Sequence, residues 1–234
     1  MEEGRIILIT GSRKGIGREL TNHFLALGDR VIGFSRSEGT VDHDHYRHYS
    51  LDIGDGEAVA TAFRAVREEF GRLDVLINNA GVLASQLALL TPNAAAESML
   101  RTNVLGAFQV SKEAAKIMMT KRYGRILSFS SMAVALSPAG DAMYSASKAA
   151  LAQFTRVFAK EIATYGITAN VLGITAVETD MTAQIPKEAL DAILKQLPIK
   201  RFATMAEIFH AVDFLVDRRS QAITGQTLYL GGII

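Results

Sequence analysis

Short apolar runs alternate with longer amphipathic stretches along the chain. The first run is Arg5-Ile6-Ile7-Leu8-Ile9. Others span Arg30 to Phe34, Tyr46 to Leu51, Leu73 to Asn78, Arg125 to Phe129, Ile167 to Leu172 and Gln226 to Leu230. Each is rich in Val, Ile, Leu or aromatic residues and has the length of a strand. Between them, Glu57 to Phe70 and Ala142 to Tyr165 carry apolar residues at helical spacing. After the first run, Leu20, Phe24, Leu25 and Leu27 form a similar stripe, and Gly28 is placed to end that helix. Strand-like and helix-like segments in alternation predict an α/β fold, a doubly wound parallel sheet with helices on both faces. Ser35 to Arg47 and Ala176 to Phe202 are the least regular stretches.

Glycines punctuate the first strand-to-helix joint as Thr10-Gly11-Ser12-Arg13-Lys14-Gly15-Ile16-Gly17. Such a turn lets the backbone come close to a pyrophosphate, and the following helix offers free N–H groups and a positive dipole end. The position right after the first strand favours nucleotide binding over an ordinary glycine-rich turn. Further on, Tyr144 and Lys148 lie four residues apart in a run of small, helix-compatible residues. One helix face therefore carries both, one turn apart. A neighbouring ammonium favours the phenolate, so the tyrosine pKa is expected to fall from about 10 toward working pH. Such a phenol can protonate a carbonyl oxygen or deprotonate an alcohol. Taken alone, most such pairs are solvated helix surface.

These segments, with Asn78-Asn79-Ala80-Gly81 between them, resemble the short-chain dehydrogenase/reductase family over essentially the whole chain. The 3-oxoacyl-carrier-protein reductase branch is the most similar. The resemblance implies one Rossmann-type NAD(P)-binding domain over 1–234, with a substrate lid around 176–202. Asn103, Ser131, Tyr144 and Lys148 match the catalytic tetrad in order and spacing. By that match Tyr144 exchanges the proton and Ser131 holds the substrate oxygen. Lys148 holds the nicotinamide ribose, and Asn103 distorts its helix and supports a proton-carrying water. The implied cofactor contacts are Gly11, Ser12, Arg13, Lys14, Gly15, Ile16 and Gly17 in the turn, and Ser35, Arg36, Asp52 and Ile53 toward the adenosine. Asn79, Ala80, Gly81, Tyr144, Lys148, Ile174, Val177 and Thr179 complete the set.

Cofactor choice is read at the end of the second strand, Gly33-Phe34-Ser35-Arg36-Ser37. A carboxylate there would favour NAD by binding the ribose 2′-hydroxyl, and a basic residue would favour NADP. Ser35 occupies the acidic position, Arg36 follows, and Lys14 adds a second cation, so NADP is expected over NAD, with NAD possible. Two departures from the family stand out. Ile174-Thr175 replaces the usual Pro-Gly near the nicotinamide, and Leu228-Tyr229-Leu230-Gly231-Gly232 lacks the usual Asp or Asn before its glycines.

Composition narrows the field further. The chain has 234 residues, 49% of them hydrophobic, which suits one α/β domain. A net charge of +1 without charged blocks points to neither nucleic acid nor an anionic membrane. With no cysteine, disulfides and thiolate catalysis are excluded. The chain shows no secretory leader and no apolar run of membrane-spanning length, so a cytoplasmic protein is expected. Asp42-His43-Asp44-His45-Tyr46-Arg47-His48 has alternating histidines and aspartates, read as a solvated connection, with no metal site expected.

The expected activity is hydride transfer between nicotinamide and a carbonyl or secondary alcohol, on a small-molecule or acyl-carrier-bound substrate. An idle nucleotide-binding sensor or scaffold on the same fold remains an alternative. So does a non-redox lyase or epimerase using bound nicotinamide. The apolar lid residues Met181, Ile185, Leu190, Ile193, Leu194 and Leu197 suit an apolar carbonyl compound. A homotetramer is expected from surplus apolar residues on two helical stretches. These are Val104, Leu105, Phe108, Ile117, Met118 and Met119 in Asn103 to Lys121, and Ala149, Ala150, Leu151, Phe154, Val157 and Phe158 in Ala142 to Tyr165. The apolar tail Ile233-Ile234 adds to that expectation.

Overall fold

The computed structural model describes residues 4–175, 177, 191 and 194–232. Its strands are β1 (Ile6–Thr10), β2 (Arg30–Ser35), β3 (Tyr46–Ser50), β4 (Val75–Asn78), β5 (Gly124–Ser131), β6 (Ile167–Ile174) and β7 (Thr227–Tyr229). They form one parallel sheet in the order β3-β2-β1-β4-β5-β6-β7. The chain winds outward from β1 first one way and then the other. The reversal opens a crevice beyond the C-terminal ends of β1 and β4, where such sheets bind ligands.

The helices are α1 (Gly15–Ala26), α2 (Gly56–Phe70), α3 (Asn93–Leu100), α4 (Ala107–Lys121), α5 (Ala133–Leu136), α6 (Ala142–Ile162) and α7 (Met205–Val216). All five residues of β1 are buried, as a central parallel strand covered on both faces requires. Ile6 and Leu8 point into one core with Phe63 and Val66 of α2, Val110 and Met118 of α4 and Ile162 of α6. Ile7 and Ile9 point into the other, with Leu20 and Phe24 of α1 and Ile208, Val212 and Leu215 of α7. The two-residue period of the strand thus splits one apolar run between two cores.

Local chemistry sets several boundaries. Asp55 caps α2 by accepting from the N–H groups of Glu57 and Ala58. Thr204 and Glu207 form a reciprocal capping box on α7. β4 starts at Val75, later than the apolar pattern indicates, because the Asp74 side chain takes the Ile6 N–H at 2.7 Å. β5 and β6 run past their expected ends and stay paired as far as Ser131 and Ile174. Leu27 is not in the α1 stripe: it follows the helix and is 58% exposed. α3 and α7 have no counterpart in the sequence reading. In α7 Glu207, His210 and Asp213 recur every third residue opposite the buried Ile208, Ala211, Val212 and Leu215, a helical period the sequence reading passed over.

Within the expected lid, Val177, Asp191 and residues 194–202 are described. Leu197 is buried, packing with Leu194, Leu136 and Met132. Met181, Ile185, Leu190, Ile193, Thr179 and the tail Ile233-Ile234 lie outside the described residues.

Candidate active site

The glycine turn joins β1 to α1 on the floor of the crevice. Gly11 and Gly15 have φ of +70° and +55°, a region that side chains disfavour. A Cβ on Gly17 would lie 2.2 Å from the Gly11 carbonyl oxygen, so α1 can pack this close to the turn only with glycine there. Lys14 stands at the α1 N-cap in extended conformation, no side chain among the described residues caps the helix, and its first turn holds no acid. A helix start of this kind, with its N–H groups and positive dipole end, suits an anion. Asn79 Nδ2 donates to the carbonyls of Thr10 and Gly11 at 2.9 and 3.3 Å, and Thr10 Oγ1 accepts from the N–H groups of Asn79 and Ala80. The end of β4 is thus tied to the turn.

A cavity of about 470 Å³ runs from this turn to the end of β5. Gly11, Arg13, Lys14, Gly15 and Ile16 line one end with Ser35, Arg36, Asp52 and Ile53. Asn79, Ala80 and Gly81 lie along it, and Ser131, Tyr144, Lys148, Ile174 and Val177 line the other end. Ser12, Gly17 and Asn103 do not line it; Ser12 is fully buried, with its hydroxyl bonded to Tyr46. Phe34, Ser37, Leu51, Val82, Leu83, Thr102, Phe129 and Ser130 also line the cavity and were not among the expected contacts, and Thr175, noted only as a departure from the family, lines it too. Most flank an expected site residue, so a wider window at each strand end would have found them. Asp52 accepts from the Gly54 N–H at 2.8 Å, a local turn that holds its carboxylate at the rim.

At the β5 end, α6 presents Tyr144 and Lys148 beside Ser131. The Ser131 hydroxyl neighbours the Tyr144 phenol and accepts from the Ala133 N–H at 3.1 Å. Lys148 is buried, and its Nζ donates to the Phe129 carbonyl at 2.8 Å. Asn103 sits in a π-helical segment, Arg101–Gly106, between α3 and α4, and is 1% exposed. Its Oδ1 accepts from the Val82 N–H and its Nδ2 donates to the Val82 carbonyl, at 2.9 and 3.0 Å. Nδ2 also donates to Ser147 Oγ, and Ser147 donates to the Tyr144 carbonyl. Ser147 thereby links Asn103 to the tyrosine's own helix, a role that spacing did not reveal. A Cβ on Gly81 would lie 3.3 Å from Lys148 Nζ and 3.4 Å from Asn103 Oδ1, so glycine lets β4 end close to both groups.

The electrostatics reverse one expectation. The Tyr144 pKa is raised from 10.0, not lowered: burial dominates, the neighbouring Ser131 hydroxyl opposes it, and Asp141 adds to the rise. Lys148 is not among the causes, because its ammonium is turned to the Phe129 carbonyl and is itself disfavoured by burial. Its pKa is lowered to about 8. The protein alone therefore holds a protonated phenol over a partly destabilised ammonium.

The profile of the short chain dehydrogenase family matches residues 5–190. The chain belongs to this family. It is 36% identical over 236 residues to the 3-oxoacyl-[acyl-carrier-protein] reductase of Salmonella typhimurium, covering 98% of this chain and 97% of that protein. The corresponding reductase of Escherichia coli is 35% identical over the same coverage. Among solved structures, ElxO with NADP bound superposes with a TM-score of 0.89 at 28% identity, covering 98% of both chains.

The departures from the family pattern have a structural account in this dehydrogenase. Thr175 is 1% exposed, and its Oγ1 accepts from the Ala203 N–H at 2.8 Å. A Cβ on Gly231 would lie 2.7 Å from Thr175 Cγ2, so the glycine pair after β7 leaves room for the threonine methyl. The larger pair Ile174-Thr175 fills the wall and pins it to the residue before α7's cap. The histidine-rich segment also differs from a solvated connection. His43 and His45 are exposed, but Tyr46 and His48 are drawn into hydrogen bonds on β3. Among the described residues no group of three His, Asp or Glu side chains is arranged to hold a metal.

Proposed function

We propose that this short chain dehydrogenase is an NADP(H)-dependent oxidoreductase that reduces a ketone. A 3-oxoacyl group carried on a protein is the leading candidate substrate. The observation that carries this reading is Ser131 and Tyr144 side by side at the end of a cavity whose other end holds Arg13, Lys14 and Arg36. The residues fit a dinucleotide: the uncapped α1 N-terminus takes the pyrophosphate, and the cations with Ser35 in place of an acid take a 2′-phosphate. When bound, the nicotinamide supplies the hydride. Ser131 orients the substrate oxygen, and Tyr144 gives it the proton as charge develops. Lys148 lies on the same helix face to hold the ribose hydroxyls. Asn103, through Val82 and Ser147, keeps the loop after β4 and helix α6 in register. NADPH consumption with 3-oxoacyl thioesters, free and carrier-bound, tests the activity. A sensor would bind without consuming, and a lyase or epimerase would convert substrate with no net cofactor change.

NADPH should bind more tightly than NADH by at least about tenfold, ~1.4 kcal/mol. Fluorescence titration of both reduced cofactors measures the ratio. Equal affinities, or a ratio unchanged by Arg36→Ala, would remove the basis for NADP.

The enzyme is proposed to work in the cytoplasm as a homotetramer. No helix among the described residues is long and apolar enough to cross a membrane. Ile117, Met118 and Leu151, expected as surplus, are buried in the monomer. What remains outside is a strip across α4 and α6 and the segment before α4. Leu105, Phe108 and Val157 are 53%, 40% and 45% exposed, and Phe108 packs edge-on to Phe154, which stacks on Phe158. A second copy would cover that strip. Light scattering should give a multiple of 25.3 kDa, and Phe108→Asp should lower it. A wild-type monomer would rule the assembly out.

A further inference from the structure

A chain of hydrogen bonds crosses the sheet edge beneath the adenosine end of the cavity. Tyr46 and His48 are two apart on β3 and point the same way. The Tyr46 hydroxyl meets Ser12 Oγ of the glycine turn at 3.1 Å and His48 Nδ1 at 3.0 Å. On the other side of the ring, His48 Nε2 meets the Ser37 carbonyl at 3.0 Å and Ser35 Oγ at 3.2 Å. Ser35 Oγ itself donates to the Ser37 carbonyl at 2.7 Å. A carbonyl can only accept, so Nε2 carries a proton and donates. One imidazole nitrogen therefore bonds to the residues on both sides of Arg36.

The backbone is shaped for this chain. A Cβ on Gly33 of β2 would lie 2.1 Å from the Tyr46 oxygen and 2.4 Å from Ser12 Oγ, so only glycine lets the hydroxyl through. A Cβ on Gly39 would lie 2.9 Å from His48 Cγ, so the loop after Arg36 folds down onto the ring. Thr40 Oγ1 donates to the Arg13 carbonyl at 2.8 Å and ties the same loop to the glycine turn.

We propose that His48 is a positioning residue for cofactor selection: it holds the Ser35 hydroxyl and the Ser37 carbonyl on the two sides of Arg36 and, through Tyr46, joins that loop to the pyrophosphate turn. This rests on the reading that Arg36 binds the 2′-phosphate. A fixed loop holds the guanidinium where a bidentate contact can form. NADH has no 2′-phosphate, so it gains nothing from that placement. The residue selects between cofactors without touching either.

Titration with NADPH and NADH on a set of variants tests this. His48→Phe keeps the ring volume and removes its hydrogen bonds. It should weaken NADPH about tenfold and leave NADH within about twofold. His48→Gln carries an amide N–H to the place of Nε2 and should restore most of the NADPH affinity. In an Arg36→Ala background, His48→Phe should cost NADPH nothing further, since the two act as one unit. Equal weakening of both cofactors, no weakening of either, or additive losses in the double variant would overturn the proposal. So would failure of Gln to rescue. If His48→Phe does not fold, the Gln variant and Ser35→Ala carry the same comparison, and Ser35→Ala should lower only NADPH affinity. If Arg36→Ala itself leaves the NADPH to NADH ratio unchanged, the underlying reading of the 2′-phosphate site fails and the role of His48 falls with it. If Arg36→Ala collapses the ratio and the His48 and Ser35 variants do not, only the role of His48 fails.

Discussion

Replacing Tyr144 by Phe lowers turnover by about 10²–10⁴ and leaves NADPH affinity within about twofold. The phenol neighbours Ser131 at the end of β5, and on the proposed reading it acts on a proton rather than on the dinucleotide. Burial raises its pKa above 10.0, so the group stays protonated throughout the neutral range. That suits an acid delivering a proton to a ketone oxygen. A lowered pKa would have suited a base taking one from an alcohol. The reduction rate should therefore stay level as pH rises through neutrality, because the acid form is lost only above its raised pKa. Stopped-flow oxidation of NADPH with the variant and a pH series with the wild type check both parts. Near-normal activity in Tyr144→Phe would remove the assignment.

Replacing Lys148 by Met makes the cofactor-free protein more stable at pH 7 while it damages both cofactor binding and turnover. Burial depresses the lysine pKa to about 8, against 10.5 when unfolded. Below pH 8 the folded protein holds a charge it disfavours, at a cost on the order of 3 kcal/mol. Between pH 8 and 10.5 the unfolded chain binds more protons than the folded one, so wild-type stability rises with pH over that window. The Met variant lacks the titration. Its advantage should be largest at pH 7 and fade by pH 10.5. The Phe129 carbonyl it leaves lines the cavity, where water can replace Nζ. Urea unfolding of both proteins at pH 7 and pH 10 measures the difference. A destabilised variant at pH 7, or a gain that does not change with pH, contradicts the account. On the proposed reading this cost serves function, since a desolvated ammonium takes the ribose hydroxyls as partners.

Much of the fold was legible because strands and helices write their burial directly into the chain. The run Ile6 to Ile9 is uninterrupted because β1 is covered on both faces, and it announces a central parallel strand. The glycines at 11, 15 and 17 were legible for a related reason: a backbone turned to positive φ, or one packed 2.2 Å from a would-be Cβ, tolerates nothing else. Tyr144 and Lys148 were legible as neighbours because they share one helix. Their electrostatics were not. Spacing predicts that the ammonium acts on the phenol; the fold turns it to the Phe129 carbonyl instead and buries both groups.

The sequence by itself determined the alternation of elements, the parallel sheet, the anion-binding turn and the residues available for chemistry. Each of these follows from local periodicity or from the conformational demands of single residue types. Tertiary structure alone decided which groups meet. It set Asn103 in a π-helical segment against Val82, drew Ser147 between that asparagine and the tyrosine helix, and sealed Thr175 under Gly231. It also ran a hydrogen-bond chain from Ser12 through Tyr46 and His48 to both sides of Arg36. Those partners are far apart in sequence or on different strands. Their pairing depends on sheet order, register and the space left by glycines, which no local pattern along the chain encodes.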